Sequence, residues 1–332
     1  MSAQKRCLVT GAAGFIGSHM CDLLLEKGHA VTGVDNLATG RLGNVEHLTG
    51  NDRFSFLDAD ICDPEKMAGA MEGAHWVFHF AGLADIVPSI QQPLLYHRAN
   101  VDGTAVLLES ARHAGVGRFL YAASSSCYGA EPETPTPETA PISPAYPYAL
   151  TKYLGEQMAL HWCRVYRMPV VSLRLFNVYG PRSRTTGAYG AVFGVFLAQK
   201  LAGKPLTVVG DGTQSRDFTF VTDVTRAFLA AAESDLSGKV FNIGSGGHCT
   251  VNRIVELIGG DRVRIPRRPG EPDITFADNS RFRTATGWAP QVTFEQGIGV
   301  LLRNIDAWRD APVWTPDSIA DATADWFKYL SD

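Results

Sequence analysis

The chain has 332 residues, 45% of them hydrophobic, and a formal net charge of −4. That is enough apolar material for one large domain or two modest ones. The mildly acidic balance, with no basic run, argues against nucleic acid as a partner, and no apolar run approaches the roughly 18 residues of a membrane span.

Residues 1–6 are too short for a signal peptide and run directly into the first strand, so a cytoplasmic location is expected. Cys7-Leu8-Val9-Thr10 reads as a buried strand, Ile16 to Lys27 as a helix, and Gly28 as its stop. A second strand, Ala30 to Val34, ends in Asp35. Further strands are expected at Phe54–Leu57, Trp76–Phe80, Phe119–Ala123 and Val170–Phe176. A helix starts at Asp63 as N-cap with Pro64 behind it, and another covers roughly Asn100 to Ala114. The Pro/Glu/Thr-rich stretch 131–144 reads as a surface loop, followed by a helix from Ala149 to Tyr166 after Pro147. Asp223 is expected to cap a helix. Apolar strands alternating with helices predict an α/β fold with a doubly wound parallel sheet. After about residue 178 the pattern loosens into a smaller mixed α/β domain, giving units 1–178 and 179–332.

In such a sheet the ligand crevice lies at the carboxyl ends of the strands. Gly11, Asp35, Asp60, Ala81-Gly82 and Ser124 all fall there. Gly11, Gly14 and Gly17 stand between strand and helix, where a dinucleotide pyrophosphate meets backbone amides at a helix N-terminus. Asp35 lies 24 residues after Gly11, placed to accept ribose hydroxyls and to repel a 2′-phosphate. This favours NAD, with Arg41 the one hint of NADP. Tyr148 and Lys152 stand at i and i+4, on one helix face. An ammonium beside a phenol, together with a positive nicotinamide ring, is expected to lower the phenol's pKa and make Tyr148 a general base. The six cysteines lack CxxC spacing and the nine histidines lack HExxH, so free thiols and no metal are expected.

The glycine spacing, Asp35 and Tyr148-x-x-x-Lys152 resemble the extended branch of the short-chain dehydrogenase/reductases, the NAD-dependent epimerase/dehydratase family. The resemblance runs over roughly 6–310 and is closest to the UDP-hexose 4-epimerase group. It implies a Rossmann-type domain to which 217–244 returns. Cofactor contacts are then expected at Gly11, Gly14, Phe15, Ile16, Gly17, Asp35, Asn36, Asp60, Ile61, Ala81, Gly82, Asn100, Tyr148 and Lys152. It also implies catalysis by Tyr148, Lys152 and Ser124, and substrate contacts at Ser124, Ser126, Tyr148, Asn177, Arg216, Arg268 and Glu271. Asn177 would donate to a phosphate, and Arg182 and Arg184 are open candidates. Ser125 and Ser126 stand where the family's 4,6-dehydratases carry an Asp-Glu pair, which favours an epimerase. The approach Pro144-Ala145-Tyr146-Pro147-Tyr148 departs from the family's shorter one and adds a tyrosine. Thr275 stands where many glucose/galactose epimerases have a bulky Tyr, leaving room for an N-acetyl group. The expectation is NAD-dependent C4 epimerisation of a UDP-hexose or UDP-N-acetylhexosamine in carbohydrate metabolism, such as polysaccharide biosynthesis. A homodimer is implied, through helices near 100–114 and 148–166, with Tyr153, Leu154, Met158 and Trp162 as candidate contacts. Alternatives are a dehydratase, a decarboxylase, an epimerase at another carbon, a reductase using free NADPH, or a non-catalytic NAD-binding module. The tail from Trp314 to Leu330 carries no motif and is expected to cap the fold.

Overall fold

The computed structural model describes residues 3–183 and 192–331. Its centre is a parallel sheet built first from β1 (Arg6–Thr10), β2 (Ala30–Asp35), β3 (Phe54–Asp58), β4 (Trp76–His79), β5 (Arg118–Ser124) and β6 (Val170–Leu175). A seventh strand, Lys239–Ile243, returns from the second half of the chain and pairs with β6 from Lys239 opposite Val171 to Ile243 opposite Leu175. The order across the sheet is Lys239–Ile243, β6, β5, β4, β1, β2, β3. The direction of winding therefore reverses between β1 and β4, and a crevice opens beyond their carboxyl ends.

Six helices precede or flank these strands: α1 (Phe15–Glu26), α2 (Pro64–Met71), α3 (Ile86–Gln91), α4 (Pro93–His97), α5 (Gly103–His113) and α6 (Pro147–Tyr166). Alternation along each strand feeds two cores. Cys7 and Val9 of β1, with Leu120 and Ala122 of β5, pack against Met20, Cys21 and Leu24 of α1 and Val224, Ala227 and Phe228 of the helix Val221–Glu233. Leu8, Phe119, Tyr121 and Ala123 face the other way, onto Met67 and Met71 of α2, Leu107, Leu108 and Ala111 of α5, and Ala159 of α6. A third core belongs to the smaller region. Its centre is Tyr179, stacked on Phe193 at 5.0 Å and meeting Phe218, Phe220 and Phe294. Among the described residues no helix is long and apolar enough to cross a membrane.

Tertiary contacts correct two local expectations and tie down a third segment. Asp223 is the third residue of its helix, with Phe220 as N-cap; its buried carboxylate accepts from the amides of Gln291 and Val292. The segment 131–144 is a surface loop tied to the second half of the chain. The Thr136 amide donates to Phe276, its carbonyl accepts from Asp278, and the Glu138 carboxylate accepts from the Asn242 amide and pairs with Arg281. The helix expected from Asn100 starts only at Gly103, after the π-helical turn Arg98–Asp102.

Beneath the crevice lies a buried ion pair. Arg174 on β6 meets Glu156 on α6 at 2.6 Å, with the side chains 6% and 1% exposed. Arg174 also donates to the Tyr128 hydroxyl, and Ser172 donates to Glu156. Removing one partner of such a pair strands a charge in the core. Glu156→Leu or Arg174→Met alone is expected to cost about 3–5 kcal/mol, and the double variant clearly less than the sum. Urea denaturation of the four proteins checks this.

His79, also buried, sits between the Thr10 and Thr104 hydroxyls at 2.8 and 2.9 Å. Burial, then the charge of Lys152, hold its imidazole well below the usual histidine range. Below about pH 6.5 the unfolded chain takes up a proton that the folded chain refuses. Stability should fall there by up to about 1.4 kcal/mol per pH unit from this group, until the folded imidazole itself titrates. His79→Gln should flatten that part of the stability–pH curve, again by urea denaturation.

Candidate active site

A cleft of about 1200 Å³ opens at the carboxyl edge of the sheet. At its β1 end the chain turns through Gly11 at φ +69°, where a Cβ would lie 2.8 Å from the Ala81 amide nitrogen. A Cβ on Gly17 would lie 2.0 Å from the Gly11 carbonyl oxygen. Only glycine therefore lets α1 start this close to β1, with its first amides aimed into the cleft. At the end of β2, Asp35 accepts from the amides of Ala13 and Leu37 at 3.0 and 2.8 Å. Burial pushes its carboxyl up, and these amide bonds oppose the rise. A carboxylate offers about four lone-pair sites, so acceptor capacity remains for a ribose hydroxyl. This glycine cradle and carboxylate fit a dinucleotide. The wall between them is made by Phe15, Ile16, Gly14, Gly17, Asn36, Asp60, Ile61, Ala81 and Gly82.

Asn100 is the exception among the expected cofactor contacts. It is 1% exposed and does not line the cleft. Its amide nitrogen donates to the Leu83 carbonyl and the Thr151 hydroxyl, and its oxygen accepts from the Leu83 amide. It holds the loop after β4 against α6, and the π-helical turn aims it there. Arg41 lines the cleft and reaches the carbonyls of Arg182 and Ser183 at 3.5 and 3.4 Å.

Facing the cradle are Ser124, Tyr148 and Lys152. Pro147 opens α6, so Tyr148 projects from its first turn and Lys152 from the next. Ser124 ends β5 and caps the following turn; its hydroxyl lies 2.8 Å from that of Ser126. Without the nicotinamide charge, burial dominates the electrostatics of the pair. Burial pushes the Tyr148 phenol up, Ser124 pulls against this, and Asp85 adds to the rise. Lys152 rests its ammonium 4.6 Å from the Tyr121 ring centroid, and burial draws it down to about 8. The helix places the two side chains on one face, and burial is the largest influence on each.

Two cleft residues were not assigned a role from sequence. Tyr146 lies parallel to Tyr148, with ring centroids 6.3 Å apart. Asp85 stands in the loop after β4, and that position at a strand's carboxyl end was its only signal.

The far end is cationic. Arg216 donates to Glu271 at 2.8 Å, and Arg268 lies 3.9 Å from the other Glu271 oxygen. Asn177 lines this end, donating to Thr275 at 2.7 Å rather than standing open; its amide keeps a second hydrogen for a ligand. Arg182 also lines the cleft and is paired with Asp22 of α1 at 2.7 Å. Arg184 lies outside the described residues.

A family model described as the NAD dependent epimerase/dehydratase family matches residues 7–244. The chain is 38% identical to a UDP-glucose 4-epimerase of Mycolicibacterium smegmatis, over 88% of this chain and 96% of that one. It is 31% identical to a dTDP-glucose 4,6-dehydratase of Streptomyces niveus, over 96% and 99%. It is also similar to the UDP-glucuronic acid 4-epimerase of Bacillus cereus, solved with UDP-glucuronic acid and NAD. That match has a TM-score of 0.85 and 32% identity over 91% of this chain and 99% of that one. The chain belongs to the NAD-dependent epimerase/dehydratase family.

Proposed function

We propose that this protein inverts C4 of a UDP-linked hexose or N-acetylhexosamine. One observation carries the reading: Ser124, Tyr148 and Lys152 face the glycine cradle and Asp35, in a cleft whose other end holds Arg216, Arg268 and Glu271. A dinucleotide and a nucleotide sugar can meet there with the sugar between phenol and cradle.

Bound NAD supplies reversible oxidation at one carbon, so no cofactor is consumed. Tyr148 takes the proton of the 4-hydroxyl and gives it back on reduction. Ser124, lining the cleft with Tyr148, hydrogen-bonds the same oxygen. A phenol held high by burial is a weak base alone. A bound nicotinamide ring would supply a positive charge that offsets the burial, and Lys152, drawn down to about 8 by burial, would orient the ribose. Arg216 and Arg268 anchor the diphosphate, as planar guanidinium groups suit. The anchored 4-keto sugar can then present either face.

Ser125 lines the cleft where a dehydratase would carry a carboxylate. Asp85 is the observation favouring the second reading, elimination of water, because it is a carboxylate whose charge reaches Tyr148. Products separate the two. We further propose a homodimer through α5 and α6, where Val106, Glu109, His113 and Trp162 border an open, mostly apolar hollow. Tyr153 packs inward beside Cys127 and Phe176, so it suits the core rather than that contact. Six free cysteines suit a reducing cytoplasm.

Proton NMR of UDP-glucose, UDP-GlcNAc and UDP-glucuronate, each with purified protein and no added cofactor, tests the reaction. A 4-epimer from one of them is expected; a 4-keto-6-deoxy product would replace epimerase by dehydratase. Tyr148→Phe should lower kcat by about 10²–10⁴ while NAD is retained. Unchanged turnover would remove Tyr148 from the chemistry. Thr275 lines the cleft beside Asn177. Thr275→Tyr should abolish turnover of UDP-GlcNAc and spare UDP-glucose, as product formation from each will show.

A further inference from the structure

The last helix of the chain reaches the substrate end of the cleft. Ala324–Leu330 follows the helix Pro316–Ala322, which Thr315 starts with a capping box and Ile319 anchors against Val209 and Ile265. From that anchor the tail crosses to the nucleotide-binding region. Asp325 accepts from Gln91 of α3 at 2.8 Å, and the helix packs along α3. Between these two holds, Trp326 turns inward. It is 5% exposed and lines the same cleft as Tyr148, Arg216 and Glu271.

Its contacts are specific. The indole N–H donates to the Pro269 carbonyl at 2.8 Å. The Arg268 guanidinium carbon lies 5.4 Å from the ring centroid. Arg268 is 6% exposed, and burial draws its guanidinium down to about 10, with Glu271 opposing. A guanidinium this dry needs its surroundings to replace water, and an indole face is the best aromatic partner for it. The hydrogen bond to Pro269 fixes the backbone beside Arg268, while the ring fixes its side chain.

We propose that Trp326 is a positioning residue for the nucleotide sugar: it holds Arg268 at the diphosphate, so the C-terminal helix is part of the substrate site. This rests on the assignment of Arg268 to the diphosphate made above. The tail also ties that anchor to α3, whose N-terminal end adjoins Asp85 in the loop facing Tyr148. The substrate's two ends are thereby held in one frame.

The test uses the full-length protein with its resident NAD. It compares Trp326→Leu, Trp326→Phe, Arg268→Ala and Arg268→Ala/Trp326→Leu by kcat, by KM for the sugar that turns over, and by calorimetric Kd for UDP. Losing a desolvated cation–π contact corresponds to about tenfold in affinity. Trp326→Leu is therefore expected to raise KM and the UDP Kd about tenfold, with kcat within about twofold. Trp326→Phe, which keeps an aromatic face, should recover most of the loss. The double variant should bind no worse than Arg268→Ala alone, because both changes remove one interaction. Trp326→Met keeps apolar volume without a ring; it carries the same expectation and serves if Trp326→Leu does not fold. Full additivity, or an unchanged Kd in Trp326→Leu, overturns the proposal while leaving the Arg268 assignment standing. An unchanged Kd in Arg268→Ala overturns that assignment, and the role of Trp326 with it.

Discussion

The catalytic geometry depends on the buried pairing of Arg174 with Glu156. Glu156 lies on the helix that presents Tyr148 and Lys152, one turn beyond the lysine. Arg174 lies on the strand beside the one that ends in Ser124. From Arg174 the network continues to Tyr128, just past Ser124 and Ser126, and from Tyr128 to Asn242 on the returning strand. Asn242 and Glu138 then pin the 131–144 segment that leads into the helix. Helix, serine turn and approach loop are thus referenced to one charged pair, and none can shift without exposing a charge to an apolar surround. Such a network rigidifies because every member is satisfied.

Above that frame the chemistry is one of controlled desolvation. Tyr148, Lys152, Asp35 and Arg268 are each shifted by burial towards the neutral form. A cleft that disfavours its own charges favours ligands that complement them: a positive ring beside the phenol, hydroxyls at Asp35, a diphosphate at Arg268. The protein's overall negative charge is no obstacle, because the diphosphate is met by local guanidinium groups rather than by net charge. The same economy explains Glu271, which keeps Arg216 and Arg268 close together in a nearly dry site.

The smaller region matters as a wall that closes this cleft. Its aromatic core around Tyr179 sets the strand fragments carrying Arg216 and Thr275 side by side. The tail lies across the far end and contacts both regions. Substrate binding is thereby shared between parts of the chain more than two hundred residues apart, and the domain boundary near residue 178 is crossed by the strand Lys239–Ile243.

What the sequence determined by itself is whatever has a short period. Buried parallel strands are continuous apolar runs, so β1 to β6 were legible within a residue or two. The glycine turn was legible because its steric requirement lies within seven residues, and Tyr148 with Lys152 because a helix puts i and i+4 on one face. Tertiary structure decided everything set by neighbours distant in the chain. Asn100 reads as a cofactor contact until a π-helical turn points it at Leu83 and Thr151. Asp223 reads as a cap until residues 291–292 claim its carboxylate. The phenol's pKa direction followed from burial, which no local spacing reports. Trp326 had no motif at all: its place beside Arg268 exists only because the folded tail returns across the cleft, and a single tryptophan in a short terminal helix carries no periodic signal of what it will meet.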